Sequence, residues 1–136
     1  MPKATDLRRG RHCVSNLHVH LVFVTKYRKK IFTPSLLTEM QFILATVCGD
    51  FKATLVEFNG ESDHVHLLVY YPPKISISVL VNSLKGVSSR LLRRLPAARK
   101  GYYKNVLWSP SYFASSCGGA PLDILKQYIQ QQAAPL

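Results

Sequence analysis

The sequence predicts an α+β fold: a four-stranded antiparallel sheet with two helices packed on one face, and a further helix near the C-terminus. Three patterns predict it. Apolar residues alternate over 17–26 and again on both sides of a turn at 59–63. Apolar residues recur at helical spacing over 34–49 and 77–95. A last helical stretch follows the pair Gly118-Gly119. A chain of 136 residues is long enough for one domain with one core.

The elements follow in order. Residues 1–16 are basic, turn-prone and without apolar period, which reads as a flexible basic arm ahead of a single domain over 17–136. From Leu17 to Lys26, Leu17, Val19, Leu21 and Phe23 share one side of a strand, and His18, His20, Val22 and Val24 share the other. Tyr27-Arg28-Lys29-Lys30 is a basic exit loop. Pro34 suits the first turn of a helix that carries Leu36, Leu37, Met40, Ile43, Leu44 and Val47 and stops at Gly49. Lys52–Phe58 and His64–Tyr71 read as two strands of a hairpin, the second ended by Pro72-Pro73. Ile77, Leu80, Val81, Leu84, Leu91 and Leu95 mark the second helix, which Pro96 ends. Leu107–Phe113 is expected to supply the fourth strand, and Pro121 to open a helix running to about Gln132. The first six elements spell β-α-β-β-α-β, the ferredoxin-like or RRM-like split unit, in which both crossover helices cover one face and the other stays open.

Charge narrows the partner. The formal net charge is +11. Residues 1–30 hold eight Lys or Arg against Asp6, and no acidic residue lies between Asp63 and Asp123. A surface this one-sided attracts a polyanion, and nucleic acid is the usual one. No apolar run approaches the roughly 18 residues of a membrane span. No secretory leader is visible, so a cytoplasmic protein with no membrane partner is expected. Cys13, Cys48 and Cys117 are odd in number and widely spaced, which forms no disulfide framework.

Two His-x-His pairs can do chemistry, His18-Val19-His20 and His64-Val65-His66. Spacing of two puts both imidazoles of a pair on one side of a strand, where neutral rings can begin a divalent-metal site or simply sit half-exposed. The second pair opens its strand directly after Asp63 and a turn, within reach of substrate. First and third strands are central neighbours in this fold, so His18 and His20 can share a side with His64 and His66. On the last helix Tyr128 and Gln132 stack at i, i+4, as packing residues or as functional ones. On the second helix Asn82, Lys85, Ser89 and Arg93 form a polar ridge with Arg90 and Arg94 beside it, either a solvated face or a row of phosphate contacts. Tyr102, Tyr103 and Trp108 lie among Arg99, Lys100 and Lys104, an arrangement suited to unstacked bases or, for Trp108, to the core.

Four stretches carry a resemblance: LVFVTKYRKKIF (21–32), DHVHLLVYYPP (63–73), LVNSLKGVSSRLLRR (80–94) and LWSPSYFASSCGGAPLDILKQYIQQQ (107–132). In this order, from about His18 to the end, the chain resembles the single-tyrosine HUH transposases of the IS-two-hundred and IS-six-hundred-five type insertion sequences. The resemblance implies that His64 and His66 bind Mg²⁺ or Mn²⁺, with Gln132 as third ligand and Tyr128 as nucleophile. It puts Gly118 and Gly119 at a flexible joint before the tyrosine helix. It implies a homodimer in which that helix completes the partner's site, cutting single-stranded DNA beside hairpins through a 5′-phosphotyrosine. His20 becomes a neighbour of the site. Lys85, Ser89, Arg90, Arg93 and Arg94 are expected to meet DNA, flanked by Lys26, Arg28, Lys29 and Lys30. Two alternatives share the sequence features: a domesticated nuclease acting on chromosomal palindromic repeats, and a non-catalytic RRM-like binder of single strands that needs no Tyr128.

Overall fold

The computed structural model describes residues 7–10, 12–99, 102, 104–116 and 122–132. The proposed joint at Gly118 and Gly119 lies outside them, as do Cys117, Lys100, Tyr103 and the first six residues. The elements are β1 (Arg8–Arg9), β2 (Val14–Ser15), β3 (Leu17–Val24), α1 (Pro34–Asp50), β4 (Thr54–Gly60), β5 (His64–Tyr71), α2 (Ile77–Arg93), α3 (Pro96–Arg99), β6 (Phe113–Ser116) and α4 (Leu122–Gln131). The main sheet runs in the order β4-β5-β3-β6 with antiparallel neighbours throughout, which is the split β-α-β-β-α-β arrangement.

Local chemistry accounts for the helices. Thr33 caps α1 by accepting from the Leu36 amide, and Pro34 follows it at the first turn. Ser76 caps α2 by accepting from Val79. Leu36, Met40, Leu44 and Val47 of α1 and Leu80, Val81, Leu84 and Leu92 of α2 are buried against Leu21, Phe23, Val65, Leu67 and Val69 of the sheet. Each such side chain contributes about 1.5–3 kcal/mol by leaving water. Trp108 closes this core, meeting Phe23 edge-on and donating from its indole nitrogen to Ser88 Oγ at 3.0 Å. It is a core residue and presents no ring to a base.

Three segments differ from expectation. The fourth strand is Phe113–Ser116, not Leu107–Phe113. Leu107 and Trp108 are buried, Trp108 makes an isolated antiparallel bridge with Thr25, and Pro110, which has no amide hydrogen, interrupts the pairing before Phe113. In the region read as an arm, the described residues Arg8–Arg9 and Val14–Ser15 pair as a short ladder. Arg8 lies over the Tyr70 ring and donates to the Tyr70 carbonyl at 3.1 Å, and the Tyr70 hydroxyl donates to Ser15.

The third difference concerns the second face of the sheet, which is covered at both ends. The ladder covers Tyr70 and His18, whose rings stack at 4.4 Å. Val22 and Val24 are fully buried under α4, beside Phe113, Tyr128 and Ile129. Two valines on that face would otherwise leave apolar surface in water, and α4 removes it. What stays open is the middle and the β4 edge.

Leu84→Ala is expected to cost about 2–5 kcal/mol by opening a cavity between α2 and the sheet. Phe42→Ala, at a side chain 72% exposed, should stay within about 0.5 kcal/mol. Urea unfolding midpoints of the two variants give the comparison.

Candidate active site

The uncovered part of the face is a cleft of about 780 Å³ lined by His20, Arg28, Glu57, Asn59, Gly60, Glu61, Asp63, His64 and His66, with Lys126, Ile129 and Gln130 of α4 on its far side. Register builds it. Pairing of β3 with β5 sets His20 opposite Leu68, Val22 opposite His66 and Val24 opposite His64. Pairing of β4 with β5 sets Asn59 opposite His66 and Gly60 opposite Val65. The rings of His64 and His66 are 4.9 Å apart, and those of His20 and His66 are 5.6 Å apart. His20 is therefore in the cleft, as its pattern predicts. His18 is not: it is 4% exposed under Tyr70 and belongs to packing.

His64 is held from behind. Its Nδ1 is 2.8 Å from Asp63 Oδ1, and Arg28 Nε donates to Asp63 Oδ2 at 3.0 Å. Burial alone would raise the Asp63 carboxyl, but its bonds and charge contacts with His64 and Arg28 outweigh it and hold the group below the usual range. A carboxylate can only accept, so Nδ1 is the donor in this bond. Nε2 lies 3.5 Å from Glu61 Oε2. Burial, reinforced by His64 and His20, pushes His66 down to about 4, so this ring is neutral at pH 7. Burial also lowers His20. Imidazole nitrogens and carboxylate oxygens are donors that a divalent ion accepts, but among the described residues no three histidine, cysteine or acidic side chains are grouped so that they could hold one.

α4 lies over the same face, but its expected functional residues do not enter this cleft. Tyr128 packs on Phe113, ring centroids 5.8 Å apart, and its hydroxyl is 3.3 Å from Ser111 Oγ. Burial raises its phenol above the ordinary value, against the opposing effect of the Ser111 bond. Gln132 Oε1 accepts from Ser109 Oγ. Phe113 pairs with Val22, which pairs with His66, and Tyr128 packs on Phe113, Val22 and Val24 without lining the cleft. The residues of α4 that do line the cleft are Lys126, Ile129 and Gln130.

The expected DNA contacts divide. Lys85 does not project from a ridge: it is half-buried and donates to the carbonyls of Ser109 and Ser111 at 2.6 and 3.1 Å, and burial pulls it down to about 8. It holds the loop that in turn holds Tyr128 and Gln132. The carbonyl of Ser89 accepts from the Tyr102 hydroxyl, so Tyr102 is tied to α2. Arg28 is committed to Asp63, and the Lys26 ammonium lies over the Tyr27 ring. Arg90, Arg93 and Arg94 do converge, with Arg99 and Asn105, around a second hollow of about 380 Å³. None of these four guanidiniums has a carboxylate partner among the described residues. Sequence reasoning missed Glu57, Glu61, Ser109, Ser111 and the Arg28–Asp63 bond. Asp63 beside the histidine pair was the one legible signal, since the others meet the site only through strand pairing and loop packing.

Comparisons with known proteins agree with one another. Residues 13–132 match the family described as Transposase IS200 like. The chain is 27% identical to ISDra2 transposase TnpA of Deinococcus radiodurans over 128 residues, 93% of this chain and 91% of that protein. It is 31% identical to the transposase for insertion sequence element IS200 of Salmonella typhimurium over 122 residues, 89% of this chain and 80% of that one. A crystal structure of a candidate transposase from Deinococcus radiodurans superposes with a TM-score of 0.83 at 29% identity, covering 94% of this chain and 99% of that one. The REP-associated tyrosine transposase solved bound to a REP hairpin has a TM-score of 0.57 at 10% identity, covering 90% and 67%, a likeness of fold.

The His66 shift has a sign that can be checked. Its folded value of about 4 lies below the unfolded 6.5, so the stability it contributes is complete above 6.5 and is lost as pH falls toward 4. The urea midpoint should therefore fall more steeply between pH 7 and 4 in the natural chain than in His66→Ala. Parallel curves would contradict a buried neutral ring.

Proposed function

The chain belongs to the IS200-like transposases, and from that premise we propose that it cuts and rejoins single-stranded DNA at hairpin-marked element ends with Tyr128 as nucleophile. The observation that carries this reading is the pair His64 and His66, with Nε2 of His64 directed into a cleft beneath the helix that bears Tyr128. His64, His66 and Gln132 would hold the Mg²⁺ or Mn²⁺ ion, with Glu61 close enough to add an oxygen. When bound there, the ion polarises a non-bridging phosphate oxygen and offsets the charge that develops on it.

The covalent step balances as a transesterification. Tyr128 Oη loses its proton and bonds to phosphorus, the bond to the 3′-oxygen breaks, and that oxygen takes up a proton. The product is a 5′-phosphotyrosine and a 3′-hydroxyl. Because the ester energy is retained, attack by a 3′-hydroxyl reseals the strand without a nucleotide cofactor. Burial raises the phenol of Tyr128, so the phenol needs a nearby cation to ionise.

Tyr128 and Gln132 are held by Ser111 and Ser109, away from the histidines of their own chain. That position supports a homodimer in which the tyrosine helix of one copy serves the histidine pair of the other. The hollow of Arg90, Arg93, Arg94 and Arg99 fits phosphates of a hairpin stem, since guanidinium forks match phosphate oxygens.

Two predictions follow from this reading. Tyr128→Phe should abolish the covalent protein–DNA species on a denaturing gel while hairpin binding persists, and His64→Ala should remove metal-dependent cleavage. Mixing the two inactive proteins should restore cleavage if the tyrosine acts in trans, because one of the two mixed sites is then intact. An adduct at full yield in Tyr128→Phe ends the assignment. For the arginines, Arg93→Ala with Arg94→Ala and Arg99→Ala should reduce the slope of log affinity against log salt by about 2–3. An unchanged slope removes the hollow from the DNA interface.

A further inference from the structure

We propose that Arg28 and Asp63 are positioning residues for His64, setting which ring nitrogen carries the proton and where the other one points. The proposal rests on the reading of His64 as a metal-binding residue given above.

The observation is an expensive turn. Tyr27 and Arg28 both have left-handed backbone, with φ of 56° and 53°. Neither is glycine, and such conformations persist only where surrounding structure enforces them. Here it does. The Thr25 amide and hydroxyl both donate to the Asp63 carbonyl, at 2.9 and 3.2 Å. The hydroxyl is also 2.7 Å from the Lys29 carbonyl. The amides of Ile31 and Phe32 both reach the Ser62 carbonyl, at 2.8 and 2.9 Å, and the Lys26 amide reaches Leu107. Residues 25–32 are thus stitched to residues 62–63, and the turn directs Arg28 inward along the β5 edge of the cleft.

The geometry gives this strain a use. The Asp63 side chain is 7% exposed and has both oxygens engaged, Oδ1 by His64 and Oδ2 by Arg28. Two tautomers of a neutral imidazole lie close in energy, and the hydrogen bond made by one nitrogen decides the state of the other. Without Arg28, one oxygen of a buried carboxylate has no donor, and Asp63 is no longer held in the ring plane of His64. Without Asp63, nothing among the described residues selects the proton on Nδ1.

The test uses the full chain, metal-free, with ¹⁵N-labelled histidine. The ring spectrum of His64 should show the proton on Nδ1 in the natural protein and in Arg28→Lys, and a mixture of tautomers in Arg28→Met. The Mn²⁺ concentration for half-maximal adduct formation should rise about 10–100-fold in Arg28→Met. Hairpin affinity in the presence of chelator should change by less than about twofold. A proton on Nε2 in the natural protein overturns the proposal, and so does Arg28→Met with spectrum and Mn²⁺ requirement unchanged. Loss of hairpin affinity with an unchanged ring spectrum makes Arg28 a phosphate contact instead. If the natural protein forms no adduct while the ring spectra behave as expected, the transposase chemistry fails and the positioning role stands.

Discussion

The histidine cleft depends on the antiparallel register between β3 and β5. Eight consecutive pairs, Leu17 with Tyr71 through Val24 with His64, bring His20 and His66 into contact and put His64 at the strand's beginning. A slip of one residue would turn His64 and His66 into the core and Val65 and Leu67 out to water. The fully buried Leu21, Phe23, Val65, Leu67 and Val69 on the opposite face forbid that slip. The hydrophobic core therefore does more than hold the sheet together: it selects the one alignment in which the polar face is chemically useful.

The same sheet places a fixed corner beside a covering helix. At the corner, two left-handed residues and a buried carboxylate are held by backbone bonds between 25–32 and 62–63. On the other side of the cleft, the described side chains of α4 meet Val22, Val24 and Phe113 beneath it and the hydroxyls of Ser109 and Ser111 beside it. Lys85 braces that serine loop from α2. On the reading proposed above, His64 and His66 belong to the corner and Tyr128 belongs to the covering helix.

The net charge of +11 divides in a comparable way. Arg8, Arg28 and Lys85 are internal: each binds a carbonyl, a carboxylate or an aromatic ring of the chain itself. Arg90, Arg93, Arg94 and Arg99 face a common hollow at the end of α2 and α3. Counting cations in a sequence does not separate these groups, because burial and partner geometry decide which charges reach solvent. Lys85 and Arg93 lie on one stripe of α2, yet one braces a loop and the other opens onto the hollow.

By itself the sequence determined the strand and helix periods, the β-α-β-β-α-β order, the His64–His66 pair and the family. These are local properties: they follow from spacing along the chain, from residue type, and from motifs read in order. His20 as a neighbour of the site was legible too, because central strands in this order must pair. Only the tertiary structure decided that His18 is packing, that Trp108 belongs to the core, that β6 begins at Phe113, and that Arg28 serves Asp63 rather than the surface. It also decided that Tyr128 and Gln132 rest on Ser111 and Ser109. Each of these depends on a contact between residues far apart in the chain, and side-chain chemistry alone does not specify which long-range partner is met.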